Sequence, residues 1–277
     1  MKLFHVHLVS DSTGETVGSV ARAAIAQFDS VEAEEHNWTL VRTKSQMQKV
    51  LDGIEDQPGI VLFTIVDKEL RNMLMQHCQR MALPIIPVVT PVIREISNYI
   101  GVKTHAKVGK QHELDDDYFS RVEAINYALA HDDGQGHWEL GDADIVLVGP
   151  SRTSKSPTCV YLAYRGLKAA NVPYVMGCAL PESLFEIKKP LIMGLTISPD
   201  QLLQIRKTRL QSLKEEKDTN YVDGESIQKE LDESRKLFRS HGWPIIDVSK
   251  RSVEETSATI IQYLDKHKHK LSKNKAN

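Results

Sequence analysis

The 277-residue sequence is poor in cysteine, with three that are far apart: Cys78, Cys159 and Cys178. They form no C-x-x-C pair and no paired histidine spacing accompanies them, which disfavours a disulfide framework and a zinc site. Long apolar runs are also missing, since the longest, such as Ile60–Val66, have strand length and cannot span a bilayer. Residues 3–9 are too short and too interrupted for a signal-peptide core. We therefore expect a cytoplasmic protein in a reducing compartment.

An excess of charge of either sign is absent as well. The 35 Lys and Arg residues against 37 Asp and Glu residues give a net charge of −2 at pH 7. This balance provides no general attraction to nucleic acid or to an anionic membrane. With 41% hydrophobic residues the chain can build a real core. Its length suits one large domain or two smaller ones.

Short, β-rich apolar runs alternate with amphipathic stretches of helix length. Most of the predicted strands are continuously apolar, as strands covered by helices on both faces must be; they are Leu3–Val9, Leu40–Arg42, Ile60–Val66, Pro84–Val89, Asp144–Val148, Val172–Met176, Leu191–Ile197 and Pro244–Val248. The predicted helices are Thr16–Gln27, Lys44–Ile54, Lys68–Met81, Pro91–Tyr99, Tyr118–Ala130, Lys155–Ala170, Pro199–Leu213 and Val253–Lys266. This alternation predicts an α/β fold with a largely parallel sheet.

A polar stretch at residues 131–137 holds two glycines and separates a predicted helix from a new strand. It predicts a boundary between an N-terminal α/β domain, residues 1–135, and a second α/β domain, residues 136–277. The tail from His267 is rich in lysine and lacks apolar periodicity, which indicates a frayed, solvated end.

The strongest chemical signal follows the apolar strand at residues 145–148. The next eight residues match the phosphate-binding P-loop pattern G-x-x-x-x-G-K-[ST] at Gly149, Lys155 and Ser156, with Ser154 in place of the second glycine. In such a loop the backbone N–H groups and the dipole of the following helix attract phosphate. The predicted nucleotide site is therefore Gly149, Pro150, Ser151, Arg152, Thr153, Ser154, Lys155 and Ser156.

Individual roles follow from the P-loop pattern. Lys155 would reach the terminal phosphates and act in catalysis, Arg152 would stabilise phosphate charge, and Ser156 would ligate Mg²⁺. Ser154 can replace glycine if its φ and ψ stay in a region open to non-glycine residues. The alternative is a strand-to-helix turn capped by serine and threonine, with a coincidental lysine.

Further candidates are weaker. Asp11, Ser12, Thr13 and Gly14 follow the first strand and suit an anion-binding or substrate-docking turn, or a helix capping box. His112, with Asp115 or Asp117, could supply a base or belong to a polar capping loop. Arg206 and Arg209 share a helix face and could close over a nucleotide, or form an exposed basic face. Asp247 ends a strand as a metal-binding Walker-B carboxylate would, or it caps the next turn.

Several stretches together resemble the pyruvate, phosphate dikinase regulatory proteins. These stretches are Leu8–Thr16, Gly109–Ala124, His131–Gly134, Ser151–Thr158, Gly194–Thr196 and Asp247–Thr256. The resemblance as a whole covers nearly all of residues 4–264. A serine before the loop lysine is typical of that family. The sequence departs mildly at Pro150 and Ser156, where the family more often has an aliphatic residue and threonine. Because serine keeps the hydroxyl, the departure leaves metal ligation intact.

The resemblance implies a bifunctional enzyme and a homodimer. The enzyme would inactivate pyruvate, phosphate dikinase by ADP-dependent phosphorylation of an active-site threonine. It would reactivate the dikinase by phosphate-dependent dephosphorylation, releasing pyrophosphate. Residues 1–135 would then serve target recognition or dimerisation, and residues 136–277 would form a P-loop kinase-like domain. One cradle could serve both directions, because a P-loop holds phosphate groups and not the adenosine.

Other functions remain open. A P-loop small-molecule kinase would need only the second half of the chain, and a nucleotide-binding regulatory module would perform no chemistry. Relatives that act on phosphoenolpyruvate synthase share the fold and the loop, although the opening at residues 10–16 is closer to the dikinase branch. The base that takes the threonine proton is Asp11, His112 or Asp247, and the sequence does not rank them.

Overall fold

The computed structural model describes residues 2–103, 116–213 and 221–276. The chain forms two compact units, Met1–Glu113 and Leu114–Asn277. This division precedes the boundary predicted at residue 135. The reason is that the helix over Asp116–Ala130 belongs to the second unit, where Ala124 and Ala128 pack on Ala163. Each unit is an α/β layer structure with its own parallel sheet.

The first unit contains four strands and four helices within its described residues. In chain order they are β1 (Lys2–Ser10), α1 (Glu15–Ile25), β2 (Val31–Trp38), α2 (Lys44–Asp56), β3 (Ile60–Thr64), α3 (Lys68–Arg80), β4 (Ile85–Pro87) and α4 (Thr90–Ile100). All strands are parallel in the order β2-β1-β3-β4. Helix α1 packs on one face of the sheet, and α2 and α3 pack on the other.

The second unit repeats this arrangement with a larger set of helices. Its elements are α5 (Asp116–Ala130), a 3-10 helix (His137–Asp142), β5 (Ile145–Gly149), α6 (Lys155–Tyr164), β6 (Ala169–Pro173), α7 (Ser183–Glu186), β7 (Leu191–Thr196), α8 (Pro199–Leu213), α9 (Gly224–Ser240), β8 (Ile245–Asp247) and α10 (Val253–Ala276). The strands are parallel in the order β6-β5-β7-β8. In both units the first strand lies between the second and the third. The predicted α/β class is therefore confirmed.

The second strand of the first unit differs from the prediction. It is β2 at Val31–Trp38, and the apolar segment Leu40–Arg42 is not a strand. Because β2 is an edge strand, its side chains are only partly buried, so its sequence is charged rather than apolar. Val41 instead enters the core beneath α2 and α3.

The C-terminal end of α6 and the chain's tail also differ from the predictions. Helix α6 ends at Tyr164 rather than Ala170, because Gly166 adopts a left-handed φ of 80° and the chain turns into β6. Helix α9 was not predicted, although Ile227, Leu231 and Phe238 give it a buried face. The tail continues α10 instead of fraying, and Lys268 Nζ lies 3.4 Å from Asp144 Oδ1.

Within the described residues, no helix combines the length and the apolar character that crossing a bilayer requires.

Candidate functional site

The loop at residues 149–156 lies where the order of the second sheet changes direction. Strand β5 has β6 on one side and β7 on the other, so its carboxyl end opens onto the crevice that parallel α/β sheets use for ligands. Gly149 ends the strand, and a Cβ there would lie 2.6 Å from the carbonyl oxygen of Leu195 on β7. Only glycine therefore fits at the first position of the motif.

The other motif position that usually holds glycine has a strained backbone. Ser154 adopts φ 59° and ψ 24°, the left-handed region that favours glycine, directly before α6 begins. The sequence predicted that serine could replace glycine here if its φ and ψ stayed in a region open to non-glycine residues. Ser154 instead adopts left-handed values, which a non-glycine residue reaches only with strain. Arg152 also has a left-handed φ of 71°, and its side chain is exposed. Two non-glycine residues in this region within one short loop mark a site of stored strain.

Lys155 is the buried cation of the loop. Its side chain is only 5% exposed, and Nζ donates a hydrogen bond to the carbonyl oxygen of Pro150 at 2.9 Å. Burial lowers the pKa of Lys155 to about 8, although the nearby carboxylates of Asp133, Asp132 and Glu230 oppose the shift. The ammonium group therefore remains mostly charged at neutral pH.

Two threonines brace the loop around this lysine. Thr153 Oγ1 donates to the carbonyl oxygen of Pro150 at 2.9 Å, and Thr158 Oγ1 donates to that of Ser154 at 2.6 Å. Both threonine side chains are buried. Their hydrogen bonds involve backbone carbonyl groups, so they hold the curve of the loop without using its N–H donors.

Ser156 lies beside a carboxylate that the sequence analysis did not select. Its Oγ donates to Asp132 Oδ1 at 2.8 Å, and Asn171 Nδ2 donates to the same oxygen at 2.5 Å and to Ser156 Oγ at 2.9 Å. Asp132 follows α5, and Asn171 lies on β6. Hydroxyl and carboxylate oxygens are hard ligands of the kind that Mg²⁺ takes. The only signal in the sequence was the Asp-Asp pair within the family stretch His131–Gly134.

Arg206 supports the loop from α8. Its side chain is buried, and Nη2 lies 2.9 Å from Glu230 Oε2 and donates to the carbonyl oxygen of Ser151 at 3.3 Å. The guanidinium group also lies 4.5 Å from the ring centroid of Tyr221. Arg206 Nε is buried and has no hydrogen-bond partner among the described residues. Arg209, predicted to share this face, is exposed to solvent instead.

The turn after β1 is built around a carboxylate. Asp11 is buried, and its Oδ2 accepts a hydrogen bond from the backbone N–H of Val66 at 2.7 Å. Burial raises the pKa of Asp11, and the bond from Val66 partly opposes this. Gly14, with a left-handed φ of 82°, is the N-cap of α1. A capping box that begins at Ser12 or Thr13 is therefore not the arrangement here.

The remaining candidates lie elsewhere. His112 and Asp115 fall outside the described residues, as does the side chain of Asp117. Asp247 is exposed on β8, which β7 separates from β5. Its Oδ1 accepts a hydrogen bond from the backbone N–H of Ser249 at 2.9 Å and contacts the Ser249 hydroxyl, so it caps a turn.

A parallel α/β fold with a lysine-bearing strand–loop–helix at its switch point is the framework of many phosphate-handling proteins. The family model described as kinase/pyrophosphorylase matches residues 6–261, and the chain belongs to this family. Family membership supports a phosphotransferase activity.

Curated relatives match over almost the whole chain. A protein of Caulobacter vibrioides is 51% identical over 261 residues, which are 94% of this chain and 83% of the relative. A protein of Paramagnetospirillum magneticum is 50% identical over 98% of this chain and 87% of the relative. A protein of Maricaulis maris is 48% identical over 94% of this chain and 93% of the relative. All three carry the name "Putative pyruvate, phosphate dikinase regulatory protein".

Proposed function

We propose that this protein is a bifunctional regulator of pyruvate, phosphate dikinase. In one direction it transfers the β-phosphoryl group of ADP to an active-site threonine of the dikinase, leaving AMP. In the other it transfers that phosphoryl group from the threonine to inorganic phosphate, which releases pyrophosphate. The names of the relatives support the target, and the family supports the class of reaction. The observation that carries the proposal is the loop at residues 149–156 with its buried Lys155.

The loop suits a reaction that needs positioning more than covalent chemistry. Backbone N–H groups at the start of α6 would bind the phosphate oxygens, and Lys155 would neutralise their charge. These groups recognise phosphate rather than adenosine, so ADP and inorganic phosphate would use the same cradle. Arg152 is exposed and would fold over the transferring phosphoryl group.

Mg²⁺ fits the residues beside the loop. Ser156 and Asp132 would hold the ion, because both present oxygen ligands and their side chains already lie 2.8 Å apart. Asn171 would orient the Asp132 carboxylate through its amide group. When bound, the ion would neutralise charge on the phosphate oxygens.

A second buried side-chain cation, after Lys155, would act from α8. Arg206 is buried against Glu230, its Nη2 reaches the backbone of Ser151, and its Nε has no partner among the described residues. We propose that Arg206 positions the loop and offers Nε–H to a phosphate oxygen.

The proposal is tested by incubating the protein with purified dikinase, ADP and Mg²⁺, followed by mass spectrometry of the target threonine. We expect one added phosphoryl group, removed again on addition of inorganic phosphate with release of pyrophosphate. Phosphoenolpyruvate synthase serves as the parallel substrate, and a shift on the synthase alone would change the target. Turnover of a small alcohol without any shift on protein would indicate a small-molecule kinase. Nucleotide binding without transfer would indicate a regulatory module.

We also propose a homodimer, on the ground of the resemblance alone. Sedimentation equilibrium of the purified protein measures its mass directly. A mass near the 31.2 kDa of the chain at micromolar concentration would contradict the dimer.

A further inference from the structure

Three histidines and a glutamate gather on the sheet of the first unit. His5 and His7 lie on β1, and Glu34 and His36 lie opposite them on β2, with His5 paired to Glu34 and His7 to His36. Residues two apart on a strand share a face, so the four side chains project to the same side of the sheet. His5 precedes the turn at Asp11 by roughly 20 Å of strand, so this cluster is separate from that turn.

The cluster brings three metal-ligating atoms to one point. His5 Nδ1 lies 3.1 Å from His36 Nε2 and 3.6 Å from Glu34 Oε2. The ligand atoms of these three residues all lie within 4.8 Å of one another. Two nitrogen ligands of a tetrahedral zinc ion, each at about 2.0–2.1 Å from the metal, are separated by about 3.3 Å. The spacing between the two imidazoles is therefore already close to that of a metal site.

His7 holds the site in place without joining it. Its Nδ1 accepts a hydrogen bond from Trp38 Nε1 at 3.1 Å, and its Nε2 contacts the carbonyl oxygen of Gln57 at 2.8 Å. Both ring nitrogens are thus occupied. The His7 ring stacks on His36 with the centroids 4.6 Å apart. Such a neighbour restricts the orientation of a ligand ring.

We propose that His5, Glu34 and His36 form a binding site for a divalent transition metal, with Zn²⁺ as the ion that the ligands favour. Two imidazoles and one carboxylate suit zinc, whereas Mg²⁺ and Ca²⁺ take oxygen ligands. Glu34 is exposed, which leaves a fourth position open to water. The histidines are 31 residues apart, so a search for closely spaced pairs along the sequence does not find them.

The test is calorimetric titration of the metal-free full-length chain with ZnCl₂. We expect one equivalent to bind, with affinity at least about a hundredfold lower in His36→Ala and about tenfold lower in Glu34→Gln. The matched control is the double variant His267→Ala, His269→Ala, which removes the tail histidines on α10 and should bind as tightly as the wild type. Co²⁺ added in place of Zn²⁺ should give visible absorption bands that both cluster variants weaken.

The outcomes decide the proposal. Zinc uptake that is absent, unchanged in both cluster variants, or lost in the tail variant would overturn it, as would equal binding of Mg²⁺. Circular dichroism shows whether His36→Ala still folds. If that variant does not fold, Glu34→Gln decides alone, because its exposed side chain can change without disturbing β2.

Discussion

The loop after β1 and the loop after β5 occupy corresponding positions in the two units. Each leaves an inner strand of a four-stranded parallel sheet and enters a helix through a residue with left-handed φ, Gly14 in one and Ser154 in the other. The buried charge differs, because the first loop holds the carboxylate of Asp11 and the second holds the ammonium of Lys155. One framework thus offers two chemistries, and the side chains of the loop, not the topology, decide which ligand each can accept.

The two loops also differ in how an arginine supports them. In the first unit, exposed Arg42 donates through Nε to the carbonyl oxygen of Asp11 at 2.8 Å. In the second, Arg206 donates to the carbonyl oxygen of Ser151 but is buried and paired with Glu230. The second loop is therefore tied into the core, as we expect of the loop that we propose to hold phosphate.

The largest expected effect tests the difference in charge. Lys155→Ala should lower the rates of both phosphoryl transfer and its reversal by a hundred- to a thousandfold, since losing one phosphate-stabilising group typically costs about 3–4 kcal/mol. The measurement is the initial rate of each reaction on the dikinase. An effect on only one direction would contradict a shared site.

A matched variant in the first loop completes that test. Asp11→Asn should leave ADP affinity, measured by calorimetry, within about twofold of the wild type, because we place no nucleotide there. If Asp11→Asn weakened ADP binding as much as Lys155→Ala does, the assignment of the nucleotide to the second loop would fail.

The second prediction concerns the two arginines. Arg206→Ala leaves Glu230, whose side chain is only 14% exposed, without its partner and should reduce the free energy of unfolding by about 3 kcal/mol. Arg42→Ala removes one exposed hydrogen bond and should cost less than about 1 kcal/mol. Urea denaturation of both variants gives the comparison, and equal losses would show that the second loop is not anchored more firmly than the first.

The third prediction concerns pH. The shifted pKa values of Lys155 and Asp11 should change the free energy of unfolding in opposite directions as the pH rises. The pKa of Lys155 is lower in the folded state, so the unfolded chain binds more protons between about pH 8 and 10.5 and stability should rise there. Over this range the free energy of unfolding of the wild type should rise by on the order of 3 kcal/mol relative to that of Lys155→Met. The raised pKa of Asp11 acts in reverse, so stability relative to Asp11→Asn should fall as pH rises from about 3.8. Urea titrations across both ranges measure the two slopes.

The smallest effects concern the left-handed residues. Gly14→Ala should destabilise the fold by about 1–2 kcal/mol, because an L side chain is strained at φ 82° and a Cβ would lie 3.0 Å from Thr39 Cγ2. Ser154→Gly should stabilise it by up to about 1 kcal/mol, since relief of strain exceeds the added entropy of the unfolded chain. Thermal unfolding followed by circular dichroism checks both, and a loss of stability in Ser154→Gly would show that the serine contributes more than strain.

The sequence predicted the parts of the fold whose signal is local. Strands buried on both faces, such as β5 and β7, were found because their residues are continuously apolar. The edge strand β2 was not predicted, because a strand at the edge of a sheet can hold charged residues and lacks a continuous apolar run. Helix α9 was not predicted, because its few buried residues lie among many charged ones.

The residues of the candidate site also fall into two groups, those that a local sequence pattern predicted and those that only the fold brings together. The strand, the loop and the start of α6 are contiguous, so the pattern of residues 149–156 predicted their arrangement. Asp132 and Asn171 reach Ser156 from 24 and 15 residues away, and Glu230 reaches Arg206 from another helix. Only the packing of the sheet and helices brings such residues together, and no spacing along the chain encodes it.

The charged sequence of β2 has a consequence for the behaviour of the protein at high concentration. A sheet edge carries unpaired N–H and C=O groups, to which a strand of another molecule can add. Glu32, Glu34 and Glu35 place negative charges along this strand, so two copies that approach edge to edge repel each other. Neutralising these glutamates would remove that repulsion, and we expect such variants to aggregate more readily during refolding.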